Sequence, residues 1–421
     1  MKKALAIEGG TPAVSEPLPP MFPGGMRIDK EEEEAVLEVL RAKRLFRYYG
    51  PNPGPSKVAQ LEEEFAAVMG TKYALAVTSG TAALISALQG LGIGPGDEVV
   101  VPAYTWIASA SAVVAVGAVP IVAEVDESLT LDPADVVNKL SPYTKAIIPV
   151  HMRGLPCKMD ELLGVAKKHN LKVLEDTAQA DGGSYKEKRL GSLGDAGAFS
   201  LQFNKMITSG EGGMVITDQQ RVYERAMMFH DVVGGARNNI PEERILPGIN
   251  FRMPELLGAV MLVQLRRLPG LLADLRARKQ MILESLAGVM ERKGVRPAPV
   301  NDAAGDASVA AIFLMPDANT ADRTAEALNA EGVGSFVMYN ANRVDYHLYP
   351  HWAPILNQNA WTENGGPWKR HPRKITYSKE MCARSLRLLE RSVHIDVNAE
   401  MSNSQVEQVC EALEKVFEGV L

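Results

Sequence analysis

One lysine, set between the end of an apolar run and a glycine-rich turn, is the best candidate in this chain for covalent chemistry. It lies in Ser200-Leu201-Gln202-Phe203-Asn204-Lys205-Met206-Ile207-Thr208-Ser209-Gly210-Glu211-Gly212-Gly213. Upstream, Val173-Leu174-Glu175-Asp176-Thr177-Ala178-Gln179 reads as a strand that ends in acidic residues. A lysine amine, an aspartate and an aromatic surface are the parts needed to hold pyridoxal phosphate and use it as an electron sink. A lysine that bonds to an aldehyde must be a free amine part of the time, so its pKa has to fall; burial or nearby positive charge does this. Most lysines are solvated, but Gly210, Gly212 and Gly213 permit close approach of the backbone to Lys205. Asp176 would pair with the pyridine nitrogen of the cofactor, at the strand end where ligands bind in α/β sheets. An aspartate there also suits a cap on the following turn.

Other segments supply the remaining parts. Val77-Thr78-Ser79-Gly80-Thr81-Ala82-Ala83-Leu84 reads as strand, small-residue turn and helix start, where amides, hydroxyls and the helix dipole favour a phosphate. The same residues would also serve as an ordinary helix cap. Tyr104-Thr105-Trp106 follows a strand and Pro102, and a flat ring there could stack on a pyridine or pack in the core. Gln179 could bond the phenolic oxygen of the cofactor or satisfy backbone groups. Ser200 could donate to phosphate or merely end its strand.

Composition narrows the alternatives. The 421 residues exceed one compact core, so two domains are expected. Hydrophobic residues make up 46% and charged residues 23%, the balance of a globular protein. A net charge of −6 with no basic block argues against nucleic acid as a partner. Cys157, Cys382 and Cys410 have neither metal nor disulfide spacing and suit buried hydrophobic positions. The first residues, Met1 to Glu8, lack the apolar stretch of a secretory signal. No uninterrupted apolar window approaches 18 residues, so no membrane span is expected. The chain reads as cytoplasmic.

The elements that must position these residues follow from periodicity. Residues 11–27, rich in Pro and Gly, read as an extended arm. Helices are expected at Ile28–Leu45 and after Ser56, with Gly70 as the stop of the second. Short apolar runs at Tyr73–Val77, Glu98–Val101, Val119–Ala123, Lys145–Pro149, Lys172–Glu175, Ala196–Ser200 and Met214–Thr217 suit a covered sheet. Helices such as Thr81–Leu91 and Met159–His169 separate several of them. The alternation predicts an α/β chain: a large cofactor-binding domain with a mostly parallel sheet between helices, plus a smaller C-terminal α+β domain. The expected boundaries are an N-terminal arm at 1–27, the large domain at 28–270, and a linking helix with the small domain at 271–421. The amphipathic stretch Pro254–Val295 carries the link. Strand Ala307–Met315 and helices Ala321–Glu331 and Ser404–Phe417 belong to the small domain.

Taken together, these blocks resemble the DegT/StrS-type sugar aminotransferases, a fold-type I group that uses pyridoxal 5'-phosphate to aminate keto-sugars and keto-cyclitols. The resemblance covers nearly the whole chain, from Gly9-Gly10-Thr11-Pro12 to the last helix. It is most specific in Thr78–Leu84, Pro102–Trp106, Glu175–Gln179 with Gly191-Ser192-Leu193-Gly194-Asp195, Ser200–Gly213, and Gly248-Ile249-Asn250-Phe251-Arg252-Met253. It implies that Lys205 is the Schiff-base lysine and Asp176 the pyridinium partner. Trp106 would stack on the ring, Gln179 would contact its hydroxyl, and Gly80, Thr81 and Ser200 would hold the phosphate. Asn250 would reach the phosphate of a neighbouring subunit, which makes a homodimer the smallest working unit. Tyr339 would lie near the substrate, and His151 belongs to a further matching block. Glutamate or glutamine would donate the amino group.

Two features depart from the pattern. Asp181 stands where a histidine or another residue is often found. Residues 342–372 form a long segment, with Trp352, Trp361, Trp368 and several histidines, that suits either a substrate lid or a packed insertion. Two other functions fit the same motifs. Dehydratases of this family carry histidine in place of the lysine, which Lys205 argues against. A non-catalytic sugar- or cofactor-binding protein could share the fold.

Overall fold

The computed structural model describes residues 4–20, 27–51 and 54–421. Among them, the seven apolar runs become strands of one sheet: β1 Tyr73–Val77, β2 Glu98–Pro102, β3 Val119–Ala123, β4 Thr144–Ile147, β5 Lys172–Asp176, β6 Ala196–Ser200 and β7 Gly213–Thr217. Their ends fall within two residues of those read from sequence. Successive strand residues point to opposite faces. Every residue of β2, β3, β6 and β7 is buried, so both faces of the sheet are covered. The strand order is β1-β7-β6-β5-β4-β2-β3. Strands β6, β5, β4, β2 and β3 pair in parallel, while β7 runs antiparallel to both β1 and β6.

That topology decides where chemistry can occur. All strands but β7 share one direction, so the loops leaving their C-terminal ends collect along one edge, where open α/β sheets bind ligands. The segments at 78–81, 104–106, 150–153, 176–181 and 200–205 all emerge there.

The helices start and stop on local signals. Helix α1, Lys30–Ala42, opens on a capping box in which Asp29 accepts from the first turn and Glu32 reaches back to the Asp29 amide. It is shorter than the expected 28–45 because Lys43 turns left-handed at φ 55°. Helix α2, Lys57–Met69, is capped by Ser56 and stopped by Gly70. Helix α3, Gly80–Leu91, follows β1, and α4, Ala108–Ala115, follows β2.

Helix α5, Glu255–Lys293, is 39 residues long and runs unbroken through position 270, the expected domain edge. Its first half packs on α1 and α2: a Cβ at Gly258 would come within 2.6 Å of Val58 Cγ2, and Arg267 bonds Glu32. Its second half reaches the small domain, where Arg292 pairs with Glu418. By length and composition alone this helix is apolar enough to cross a membrane. Here it is a core helix, with Leu262, Leu265, Leu268, Leu272, Leu275 and Ile282 buried.

The small domain is an antiparallel sheet of β8 Arg296–Pro297, β9 Ala310–Leu314, β10 Ser335–Val337 and β11 Ser392–Asp396, in the order β8-β9-β11-β10. Helices α6 Ala318–Ala330 and α7 Asn403–Val420 complete it. Only β9 and these two helices were expected from sequence. Residues 342–372 are joined to the large domain: Thr105 and Ile107 donate to the carbonyls of His347 and Tyr346. Trp352 and Trp368 are buried in this segment, and Trp361 is exposed. Of the expected arm, residues 11–20 hold neither helix nor strand, and 21–26 lie outside the described residues, as do Met1 to Lys3.

Candidate active site

The collected loops and the small domain enclose a cavity of about 640 Å³. Gly80, Thr81, Trp106, Asp176, Gln179, Ser200 and Lys205 all line it. Seven positions spread over 126 residues of sequence are thus brought to one place by four strand ends.

At one end, α3 presents its first turn. Ser79 Oγ caps the helix by accepting from the Ala82 amide at 3.0 Å. The first amides of a helix have no acceptor within it, and the dipole there favours an anion. A Cβ on Gly80 would lie 2.6 Å from Ser200 Cβ and 2.9 Å from Ser200 Oγ. Only glycine lets the helix start approach the Ser200 hydroxyl this closely, which makes a small cradle of amides and hydroxyls.

Asp176 closes the floor. Its Oδ2 accepts from Ser109 Oγ at 2.8 Å and its Oδ1 from the Ala178 amide at 3.1 Å. Burial pushes the carboxyl pKa up, against the pull of Ser109, the Ala178 amide, Lys205 and His151. Among the described residues no cation lies within ion-pair distance of it. His151 sits behind this strand end: its Nδ1 accepts the Cys157 amide at 3.1 Å, and its Nε2 lies 3.0 Å from Glu175 Oε2. An accepting Nδ1 puts the proton on Nε2, which donates to Glu175. Glu175 also accepts the amides of Gly191, Leu193 and Gly194. His151 is therefore a brace for the loop beneath the site and does not line the cavity.

Lys205 projects from the turn between β6 and β7, which is closed by bonds such as Phe203 N to Gly210 O. Gly210 takes φ +86°, in the left-handed region that favours glycine. Burial lowers the Lys205 pKa, opposed by the charges of Asp181 and Asp176. Asp181 is 1% exposed, its Oδ1 has no hydrogen-bond partner, and burial pushes its pKa up to about 8.

The opposite wall is polar and was mostly not foreseen. Trp106 is 48% exposed, its ring 4.9 Å from that of His347. His347 Nδ1 lies 2.8 Å from Asp345, and its Nε2 lies 3.4 Å from Gln179 Nε2. Arg153, at φ +55° in the left-handed region, pairs with Asp396 at the end of β11. Arg153 and Arg343 both lie over the Phe336 ring, 5.6 and 5.5 Å from its centroid. Of the long segment, then, Arg343, Asp345 and His347 reach the cavity, and the tryptophans do not. Two expected residues are not brought here. Tyr339 is not among the lining side chains, and its ring lies 6.4 Å from that of His351. Asn250 is exposed outside the cavity, where its Oδ1 accepts the Arg252 amide.

These residues fit pyridoxal phosphate. A buried carboxylate lacks a cation, an amine of lowered pKa shares its cavity, a half-exposed indole lines the same cavity, and a glycine-made cradle suits a phosphate. No cluster of three or more His, Cys, Asp or Glu side chains with metal-holding geometry occurs among the described residues.

Known proteins share this architecture. The spore coat polysaccharide biosynthesis protein SpsC of Bacillus subtilis is 40% identical over 264 residues, which is 61% of this chain and 65% of that protein. The L-glutamine:2-deoxy-scyllo-inosose aminotransferase of Streptoalloteichus tenebrarius is 37% identical over 305 residues, 70% of this chain and 69% of that one. The crystal structure of 3-amino-5-hydroxybenzoic acid synthase superposes with a TM-score of 0.79 at 28% identity, covering 96% of this chain and 100% of the other. The model of the DegT/DnrJ/EryC1/StrS aminotransferase family matches residues 26–361, and the chain belongs to that family.

Proposed function

We propose that the chain is a pyridoxal 5'-phosphate-dependent aminotransferase that moves an amino group from L-glutamate or L-glutamine to the ketone of a sugar or cyclitol. The observation that carries this reading is the convergence of Lys205 and Asp176 on one cavity, with the lysine pKa lowered by burial. Asp176 would hold the pyridine nitrogen in its protonated form. Gly80, Thr81 and Ser200 would hold the phosphate, Trp106 would cover the ring and Gln179 would contact its hydroxyl. When bound, the cofactor supplies an electron sink next to the substrate Cα and carries the amino group from donor to acceptor.

The chain's own part is proton handling and positioning. Lys205 Nζ, as a free amine, would take the proton from the donor Cα and deliver it to the cofactor carbon that carries the amino group away, acting as base and then acid. The acceptor's hydroxyls would meet Asp345, His347 and the Arg153–Asp396 pair, while Tyr339, which does not line the cavity, would act only through packing. Asn250, exposed and not part of the lining of its own cavity, would serve the phosphate of a partner subunit, so we infer a homodimer. The three cysteines are unpaired, in keeping with a reducing cytoplasm.

The test is a single assay with pyridoxal phosphate, L-glutamate or L-glutamine, and a panel of keto-sugars and keto-cyclitols. Release of the keto acid and of a new amine is expected, and Lys205→Ala should abolish both. Full activity in that variant, or borohydride fixing the cofactor to another side chain, would sink the assignment. Dehydration of the ketone without keto-acid release would point to the dehydratase chemistry instead.

A further inference from the structure

A transaminase must bind two unlike molecules in one cavity, and an amino-acid donor differs from a polyhydroxy ketone chiefly by its α-carboxylate. That group needs a cation. The cationic or potentially cationic side chains lining the cavity are Arg153, Lys205, Arg343 and His347. Lys205 is occupied with proton transfer and the cofactor. Arg153 is committed to Asp396, and His347 to Asp345.

Arg343 is different. Among the described residues no carboxylate lies within ion-pair distance of it, and its guanidinium donates one long bond of 3.4 Å to the Val337 carbonyl. Its guanidinium rests on the Phe336 ring at 5.5 Å. Stacking on an aromatic face holds the planar fork in place while leaving its edge free, and that edge matches a carboxylate with two parallel bonds. Arg153 lies on the same ring, and its Nε is buried without a partner. Two guanidinium groups on one phenyl ring therefore carry spare donors at the cavity wall. Asp345 is the nearby acid that could compete, but its carboxylate already takes the His347 ring and amide.

We propose that Arg343, braced on Phe336 beside Arg153, receives the α-carboxylate of the amino-acid donor and so selects the donor over the acceptor. The proposal rests on the aminotransferase reading above and names a subsite within it. Arg343 is a specificity-determining residue, which touches the donor away from the reacting carbon.

The experiment compares the cofactor-loaded protein with Arg343→Met, which keeps the stem on Phe336 and drops the charge, and with Arg343→Lys. Each half of the reaction is followed separately by stopped-flow absorbance, with L-glutamine for the first half and the ketone for the second. Arg343→Met should raise the half-saturating L-glutamine concentration about 10- to 100-fold, the usual consequence of losing one partner of a charge-assisted pair. The half-saturating ketone concentration should stay within twofold. Reaction with 4-aminobutanamide, which is L-glutamine without its α-carboxylate, should be equally slow in both proteins. Calorimetric titration with glutarate, which cannot react, should show the same loss of affinity, and Arg343→Lys should restore part of it.

An unchanged L-glutamine dependence in Arg343→Met would overturn the proposal. An equal rise for donor and ketone would also overturn it, since a loosened fold does that, and so would a rise confined to the ketone. If the unsubstituted protein releases no keto acid from either donor, the aminotransferase reading itself fails, a result that does not depend on Arg343.

Discussion

Asp181 is a carboxyl sealed in the cavity floor, and replacing it with asparagine should stabilise the protein in a way that grows with pH. The sign follows from proton counting. In the unfolded chain an aspartate keeps its proton only below its ordinary value of 3.8, whereas in the fold Asp181 keeps it up to about 8. Between those limits the native state binds more protons than the unfolded state, so stability falls as pH rises, and the penalty is complete above the folded value. One pH unit is worth about 1.4 kcal/mol, so from pH 5 to pH 8 the difference between Asp181→Asn and the parent should widen by about 4 kcal/mol. Asp181 is 1% exposed, so solvent screening does little to reduce this.

Two groups face it. Lys205 has a lowered pKa, and its own contribution has the opposite sign: stability rises with pH between the lowered value and 10.5. It is present in both proteins and largely cancels in the difference. Asp176 also has a raised pKa and is likewise common to both. The assay is urea unfolding of the cofactor-free proteins at fixed concentration, from pH 5 to pH 8.5, so that neither ligand nor association changes between samples. A stability difference that stays flat over that range would mean that Asp181 is ionised in the fold, and the reasoning about its burial would be wrong.

Further outcomes follow from other contacts. Gly80→Ala should weaken pyridoxal phosphate binding about 5- to 150-fold, because overpacking of the added Cβ against Ser200 costs about 1–3 kcal/mol. Adding Ser200→Gly should recover part of that loss in a fluorescence titration, and no recovery would remove the steric explanation. Glu175→Ala should destabilise the protein by about 3–6 kcal/mol in urea unfolding, since it orphans the buried Gly191 amide and His151 ring at roughly 1–3 kcal/mol each, and the half-buried Leu193 and Gly194 amides at less. A cost under about 1 kcal/mol would mean that water or rearranged backbone replaces the carboxylate.

The half of the site that would hold the cofactor was legible in the sequence because each part sits beside a strand end that announces itself. Uninterrupted apolar runs such as Val99-Val100-Val101 and Ala196–Ser200 mark covered strands, and the residues just past them fall on the ligand-binding edge once the strands are parallel. The substrate half has no such grammar. Strands β8 and β10 are two and three residues long, too short for any alternation to register. Asp396 ends a strand nearly two hundred residues from Lys205, and Arg343, Asp345 and His347 lie in a loop with no periodicity. Arg153 sat inside a recognised block, and its left-handed φ was the missing clue that it turns toward the cavity. Asp181 was visible only as a departure from pattern, and burial, which gives it its chemistry, is a property of the fold. This division has a consequence for how the protein can change. On the function proposed above, substitutions at Arg153, Asp345, His347 and Asp396 would alter which acceptor the cavity takes while leaving the strand ends that carry Lys205, Asp176 and the phosphate cradle untouched. A new acceptor specificity would then be reachable through loop and small-domain residues alone, without disturbing the sheet edge that carries Lys205.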